Sequence, residues 1–406
     1  VDSKNSPILI FEIEKIKGHR KLGLSPMNAE SFQFSNSRFT VEYHLRGSES
    51  EARAKAEALC FDQTVELPDA LVEPGPIRDH LIGRVEHFEE LTDNTFSTKV
   101  SFSCDLVGKE FTQLLNVVFG IASLRSGICV ARLDLPESFI RQWPGPRFGR
   151  SGLRHLLGIP QRPLVCGVLK PVGLSSLVLA ERAYRMALGG LDFIKDDQGL
   201  VDQAFCPFDE RVSQCAEAVA QANRETGRTC LYIPHVTGSA KGIYKRSLFA
   251  KKAGAGGVLI CPGLVGFEAV NIVAEDETLG LPVMTHPTFL GSLYMHPDHG
   301  MAPAVVFGQL PRLAGADVSI YPSSDSHYSL SRENCRHIAS ETAVPWGHVR
   351  PIFPTAAGRI SGDRIKEVVE LYGKDLVIIV GGGLLQGGPD FTSTCQTLMK
   401  QVEHVH

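Results

Sequence analysis

Apolar and polar positions alternate from Phe39 onward. Thr40-Val41-Glu42-Tyr43-His44-Leu45 has a period of two, which predicts a strand with one buried face. Residues 48–59 are rich in Ala and Glu and predict a helix, with Ser48 or Ser50 as its N-cap. Strand-like stretches follow at 80–87 and 96–102, a helical one at 109–119, and another strand at 128–133. Short strands interleaved with two helices predict an α+β domain of the ferredoxin-like kind. Ahead of it, the first 35 or so residues are irregular and polar apart from an apolar patch at 7–13.

The cluster Trp143-Pro144-Gly145-Pro146-Arg147-Phe148-Gly149 breaks any regular element and predicts a boundary, giving domains 1–145 and 146–406. Beyond it the rhythm changes. Short apolar runs recur at 164–169, 191–194, 229–233, 257–261, 282–285, 317–321, 349–353 and 376–380, alternating with helical stretches such as 177–188, 212–224 and 363–372. Eight buried strands alternating with helices over about 250 residues is the count of a (β/α)8 barrel. A doubly wound open sheet is the competing architecture, but it usually carries GxGxxG after its first strand, and none occurs there. The expected fold is therefore α/β, a C-terminal (β/α)8 TIM barrel preceded by a ferredoxin-like α+β domain.

Composition narrows the function. Of the 406 residues, 43% are hydrophobic and 21% charged, an ordinary globular balance that excludes global disorder. A net charge of −4 with scattered Lys and Arg argues against binding nucleic acid or anionic membranes. No run approaches the ~18 apolar residues of a membrane span. The opening Val1-Asp2-Ser3-Lys4 lacks the basic-then-apolar pattern of a secretory signal. The ten cysteines form no CxxC pair, and Cys166 and Cys261 sit inside apolar runs. They read as buried thiols in a reducing, cytoplasmic setting.

In a barrel, residues just after each strand line the catalytic face. Here those positions hold Lys170, Lys195-Asp196-Asp197-Gln198, His235, His286, Ser323-Ser324-Asp325 and Gly381-Gly382-Gly383. Two lysines directly after buried strands are unusual, because an unpaired buried ammonium is costly. A lysine at a barrel mouth serves as a general base or Schiff-base nucleophile; the alternative is a side chain snorkelling into solvent. The carboxylates beside Lys195 suit Mg2+, or alternatively cap a following helix. Three glycines in a row allow backbone N–H groups to approach a phosphate, though a tight turn would also use glycine. His296-Pro297-Asp298-His299 could hold zinc, yet barrel hydrolases put an HxH pair at the first strand, where this chain has Lys170. Ordinary loop histidines are the simpler reading.

These residues also match a known family. Gly145-Pro146 with Gly149, Arg162-Pro163-Leu164, Gly167-Val168-Leu169-Lys170-Pro171 and Gly173-Leu174-Ser175 form the first part of the match. Gly189-Gly190-Leu191-Asp192-Phe193-Ile194-Lys195-Asp196-Asp197 is its core, followed by Lys245-Arg246, Phe249-Ala250-Lys251, His299-Gly300-Met301 and the glycine triplet. From Pro144 onward the chain resembles the large subunit of ribulose-bisphosphate carboxylase, and more closely the RuBisCO-like proteins that do not fix carbon dioxide. The resemblance implies Lys170 as the base that forms an enediolate. It implies Lys195 as a carbamylated Mg2+ ligand, with Asp197 a second ligand and Gln198 at the position of the third. His286 would lie beside the substrate, with Gly358, Gly382 and Gly383 binding phosphate. It also implies a homodimer.

Several positions depart from the carboxylases. Gln198 replaces a Glu, Val172 a Lys, Pro287 an Arg, and Tyr321 stands where a phosphate-binding His is expected. Ala356-Ala357-Gly358 replaces Ser-Gly-Gly, Val117 falls near an active-site Asn with Asn116 adjacent, and the loop at 322–330 has no lysine. One phosphate site thus survives while the other is dismantled. The resemblance then implies enolate chemistry on a monophosphorylated 3-oxo sugar acid or ketose without carbon dioxide fixation. Decarboxylation or C–C cleavage of a 3-oxo-isoapionate-4-phosphate-like substrate is the first expectation. A methylthioribulose-phosphate-type isomerase or enolase and a catalytically silent scaffold are the alternatives.

Overall fold

The computed structural model describes residues 33–324, 330–358, 364–386 and 390–405. The apolar patch at 7–13 and Asp325 lie outside them. The predicted alternation at Phe39 becomes β1 (Arg38–Arg46), which buries Val41, Tyr43 and Leu45 on one face. With β2 (Arg84–Thr92), β3 (Thr95–Ser103) and β4 (Ile128–Asp134) it forms an antiparallel sheet in the order β4-β1-β3-β2. Helices Glu49–Asp62 and Phe111–Phe119 pack their buried residues into the same core, and Tyr43 donates to the Val118 carbonyl at 2.7 Å. This β-α-β-β-α-β order is the expected ferredoxin-like arrangement.

Of the two candidate caps, Ser48 is the one used. Its hydroxyl accepts from Glu51 N–H, and Glu51 Oε2 accepts from Ser48 N–H at 2.8 Å, a reciprocal capping box. β2 starts four residues later than the pattern predicts, because Ile77–Leu81 forms a wide helical turn. The strand lies at the sheet edge with no buried residue, so no apolar alternation marks its true register.

The eight apolar runs become β5 (Leu164–Leu169), β6 (Phe193–Asp196), β7 (Leu231–Ile233), β8 (Val258–Ile260) and β9 (Val283–Thr285), followed after a short β10 (Gly300–Met301) by β11 (Val318–Ser319), β12 (Phe353–Ala357) and β13 (Val377–Val380). All except β10 pair in parallel in the order β7-β6-β5-β13-β12-β11-β9-β8. The ring closes where His235 bridges Leu259, through Val236 N–H to Leu259 O at 3.0 Å and Leu259 N–H to Pro234 O at 2.8 Å. β10 instead joins the small sheet, in parallel beside β4.

Inside the ring, alternate residues of each strand form one apolar cluster that includes Cys166, Val168, Phe193, Ile233, Leu259 and Phe353. Helix Gly149–Leu157 plugs the N-terminal end with Leu153 and Leu157. Asp317, just before β11, holds that helix by accepting from Phe148 and Gly149 N–H at 2.9 and 2.7 Å.

Two strands shift for traceable reasons. The seventh barrel strand was expected at 349–353 but runs Phe353–Ala357. The buried Arg312 takes the carbonyls of Val349 and Arg350 at 2.6 and 3.0 Å, which a strand would have used. The second was expected at 191–194 but runs on through Lys195, which donates to the neighbouring Asp196 carbonyl, and Asp196, whose charge is compensated by the sequence-distant Arg211.

Candidate active site

Period two along β5 and β6 carries the inward face from Val168 to Lys170 and from Phe193 to Lys195 and Asp197. Lys170 Nζ lies 2.8 Å from Asp197 Oδ2. Asp197 Oδ1 accepts from Gly199 N–H at 2.9 Å, while the buried Oδ2 meets no donor at a hydrogen-bonding angle, the lysine being close but off axis. Lys195 is fully buried and donates to the Asp196 carbonyl at 2.9 Å. Burial lowers its amine below the usual lysine range, against the opposing effects of Cys166, Asp197, Asp196 and Cys261.

Asp196 points the other way, out of the barrel. It accepts from Arg211 Nε at 3.1 Å, Tyr232 O–H at 2.8 Å and His235 N–H at 3.0 Å. It is an anchor, not a helix cap: helix Phe208–Thr226 begins after Pro207, and its first N–H is taken by Asp202 at 2.9 Å. By holding Asp196 outward, this network turns Lys195 and Asp197 inward.

His286 follows β9 and faces the same mouth. Its Nδ1 lies 2.8 Å from Thr288 Oγ1 and 3.3 Å from Thr288 N–H. A ring nitrogen that accepts from a backbone N–H carries no proton, which assigns the proton to Nε2. Burial, aided by the charges of Lys195, His235 and Lys170, holds the imidazole well below its usual range and therefore neutral. Those same three side chains show how closely the strand ends converge.

A further pair was not singled out from the sequence. His235 Nε2 sits 3.3 Å from Cys261 Sγ, and its Nδ1 donates to Leu200 O at 3.0 Å. Both side chains are buried beside Lys195, and burial lowers the histidine and raises the thiol. The signal was available: His235 and Cys261 lie two residues beyond the inward Ile233 and Leu259.

The glycines divide. Gly381 packs on the Lys170 stem, where an added Cβ would lie 3.9 Å from Lys170 Cε. Gly382 and Gly383 open the short helix Gly382–Gln386, both are exposed, and a Cβ on Gly382 would meet nothing within 4 Å. Neither Gly381 nor Gly382 has a positive φ, so a turn does not explain them. Gly358, directly after β12, does, with φ of 101°. His296 Nδ1 accepts from Asp298 N–H at 3.1 Å in a loop beside β10. Among the described residues no three His, Cys, Asp or Glu side chains gather as a metal cluster. At the mouth, however, Asp197 Oδ2, the Gln198 amide oxygen and a carbamate on the deprotonatable Lys195 would supply oxygen donors of the kind Mg2+ takes.

Residues 149–397 match the family described as ribulose bisphosphate carboxylase large chain, catalytic domain. The chain belongs to this family. It is 38% identical to ribulose bisphosphate carboxylase-like protein 1 of Rhodopseudomonas palustris, over 87% of this chain and 95% of that one. It is 34% identical to 5-methylthioribulose-1-phosphate isomerase of Rhodospirillum rubrum, over 90% and 96%. It is 30% identical to 2,3-diketo-5-methylthiopentyl-1-phosphate enolase of Geobacillus kaustophilus, over 86% and 87%. Among solved structures, a RuBisCO-like protein from Rhodopseudomonas palustris superposes with a TM-score of 0.83 at 31% identity, covering 91% of this chain and 98% of that one. The resemblance to RuBisCO-like proteins read from the motifs is thus borne out, as is the fold.

Departures from the carboxylase pattern fall partly at the barrel mouth and partly away from it. Val172 lies half-exposed over Gly199, whose added Cβ would come 3.0 Å from it. Gln198 is half-buried beside Asp197. Tyr321 is not at the mouth: it is fully buried on the outer side of the barrel wall, with its ring 5.9 Å from Phe307. Period two puts Ile320, not Tyr321, on the inward face of that strand. Val117 is in the core of the small domain, and Asn116 is exposed, donating to Gln113 at 3.3 Å. Among the described residues no helix is long and apolar enough to cross a membrane.

Proposed function

We infer that the barrel mouth removes a proton from the carbon beside the carbonyl of a monophosphorylated ketose, as an enolase or isomerase of the RuBisCO-like kind. The carrying observation is the convergence of Lys170, Asp197, buried Lys195 and neutral His286 at one end of the barrel. Relatives named as an isomerase and an enolase of methylthio sugar phosphates support this reaction class ahead of decarboxylation.

Lys170, once free of Asp197 and after giving its own proton to solvent, takes the substrate proton as a neutral amine. His286 presents Nε2–H to the substrate carbonyl oxygen; because the ring is neutral it polarises that oxygen without surrendering a full charge. Gly382 and Gly383, with Gly358, bind the phosphate through backbone N–H groups. Mg2+ held by Lys195 as its carbamate, Asp197 and Gln198 would offset negative charge developing on the substrate oxygens. The barrel wall below Lys195 is apolar and keeps water from the reacting carbon. Exposed Val172, Leu177, Phe205, Leu264 and Phe289 all lie in the segments that follow β5, β6, β8 and β9, which supports a homodimer in which a second copy covers that end of the barrel.

Decarboxylation of a 3-oxo sugar-acid phosphate is the second reading. Gln198 favours it, since loss of carbon dioxide from a β-keto acid needs only an electron sink and tolerates a metal site with one charge fewer. Proton NMR in D2O with Mg2+ and bicarbonate, against a panel of monophosphorylated ketoses and 3-oxo sugar acids, separates the two. Deuterium exchange without carbon loss supports the enolase or isomerase, and labelled product with loss of the carboxylate supports the decarboxylase. Absence of exchange with every substrate would overturn both.

A further inference from the structure

Adjacent carboxylates at the end of β6 are satisfied in opposite ways. Asp196 is held by an Arg211 with no solvent exposure, whose guanidinium also donates to the carbonyls of Val201 at 2.8 Å and Cys206 at 3.1 Å. That cation is fixed. Asp197 is met by Lys170, whose side chain is 41% exposed against 7% for the carboxylate. Lys170 Nζ makes no other ion pair or side-chain hydrogen bond among the described residues, and its contact with Oδ2 lies off the hydrogen-bonding axis. A flexible lysine stem therefore sets a removable positive charge on the one Asp197 oxygen that no backbone group uses.

We propose that Lys170 is a resident competitor for the cation site at Asp197, so that loading a divalent cation and freeing the lysine are one event. This rests on reading Asp197 as a cation ligand. One carboxylate oxygen does not carry an ammonium at 2.8 Å and a divalent ion together, because the two cations would then repel at close range. The lysine stays paired while the site is empty, which withholds the base. Cation binding displaces it into the mouth, where the freed ammonium can pass its proton to solvent and then, as the amine, accept one from substrate. By linkage, whatever the ion pair contributes is subtracted from cation affinity.

The test is a titration of the full chain with Mn2+ alone, counting free ion by electron paramagnetic resonance, with and without bicarbonate. Lys170→Met removes the competing charge and is expected to bind Mn2+ about tenfold or more tighter than wild type. Lys170→Gln carries the same expectation should the methionine variant fold poorly. Lys170→Arg keeps the charge and is expected to stay near wild-type affinity. Asp197→Asn in the Lys170→Met background is expected to abolish the gain, which locates the ion. Unchanged or weaker binding by the neutral variants, equal tightening by arginine, a gain that survives Asp197→Asn, or no Mn2+ bound by any variant would each overturn the proposal. The titration uses no substrate, so it can fail while wild-type deuterium exchange succeeds, and the reverse.

Discussion

Arg211→Met removes the cation that compensates Asp196 in a place neither side chain shares with solvent. Asp196 would keep its bonds from Tyr232 O–H and His235 N–H, but its charge would be unpaired, a loss typically of about 3–5 kcal/mol. The expected destabilisation is about 3–5 kcal/mol, part of it from the unmet carbonyls of Val201 and Cys206. Urea unfolding followed by the fluorescence of Trp143 and Trp346 measures it. Asp196→Asn combined with Arg211→Met should recover much of the loss at pH 7, since no buried charge is then left. A loss below about 1 kcal/mol at pH 7, or a double variant no more stable than Arg211→Met alone, would refute the argument that a buried ion pair anchors this strand end.

Lys170→Ala should lower solvent-deuterium exchange into substrate by about 10^2–10^4 while leaving circular dichroism unchanged, and retained exchange would remove Lys170 as the base. Ser48→Ala breaks the capping box of helix Glu49–Asp62 and should cost about 1 kcal/mol in urea unfolding, with no effect on exchange. Asp317 is pushed up to about 6 by burial, despite accepting from Val283, Gly149 and Phe148 N–H. A carboxyl raised in the folded state stabilises most below its ordinary value near 4, and that contribution disappears as pH rises through 6. Wild type should thus lose about 2 kcal/mol relative to Asp317→Asn between pH 4 and 6, and parallel pH profiles would contradict this.

Local patterning was enough for the elements whose two faces differ. Period two at 40–45 and the eight apolar runs encode burial preferences within a few residues, and Ser48 or Ser50 marks a helix start, so the ferredoxin-like domain and the barrel are legible in the chain itself. Elements whose environment comes from far along the chain were not. β2 has no buried face to announce it, β12 starts late because Arg312 takes the preceding carbonyls, and β6 continues through two charges because Arg211 compensates one of them. The same divide runs through the site. Lys170, Lys195, Asp197 and His286 were marked by type and position after apolar runs, and the family motifs marked Gly358, Gly382, Gly383 and Gln198. Which carboxylate faces in, that Cys261 meets His235, that Tyr321 lies outside the wall, and that Lys170 rests on Asp197 were decided only by closing the ring. A sequence encodes which side chains avoid water; which charges meet depends on strands that become neighbours only when the barrel shuts.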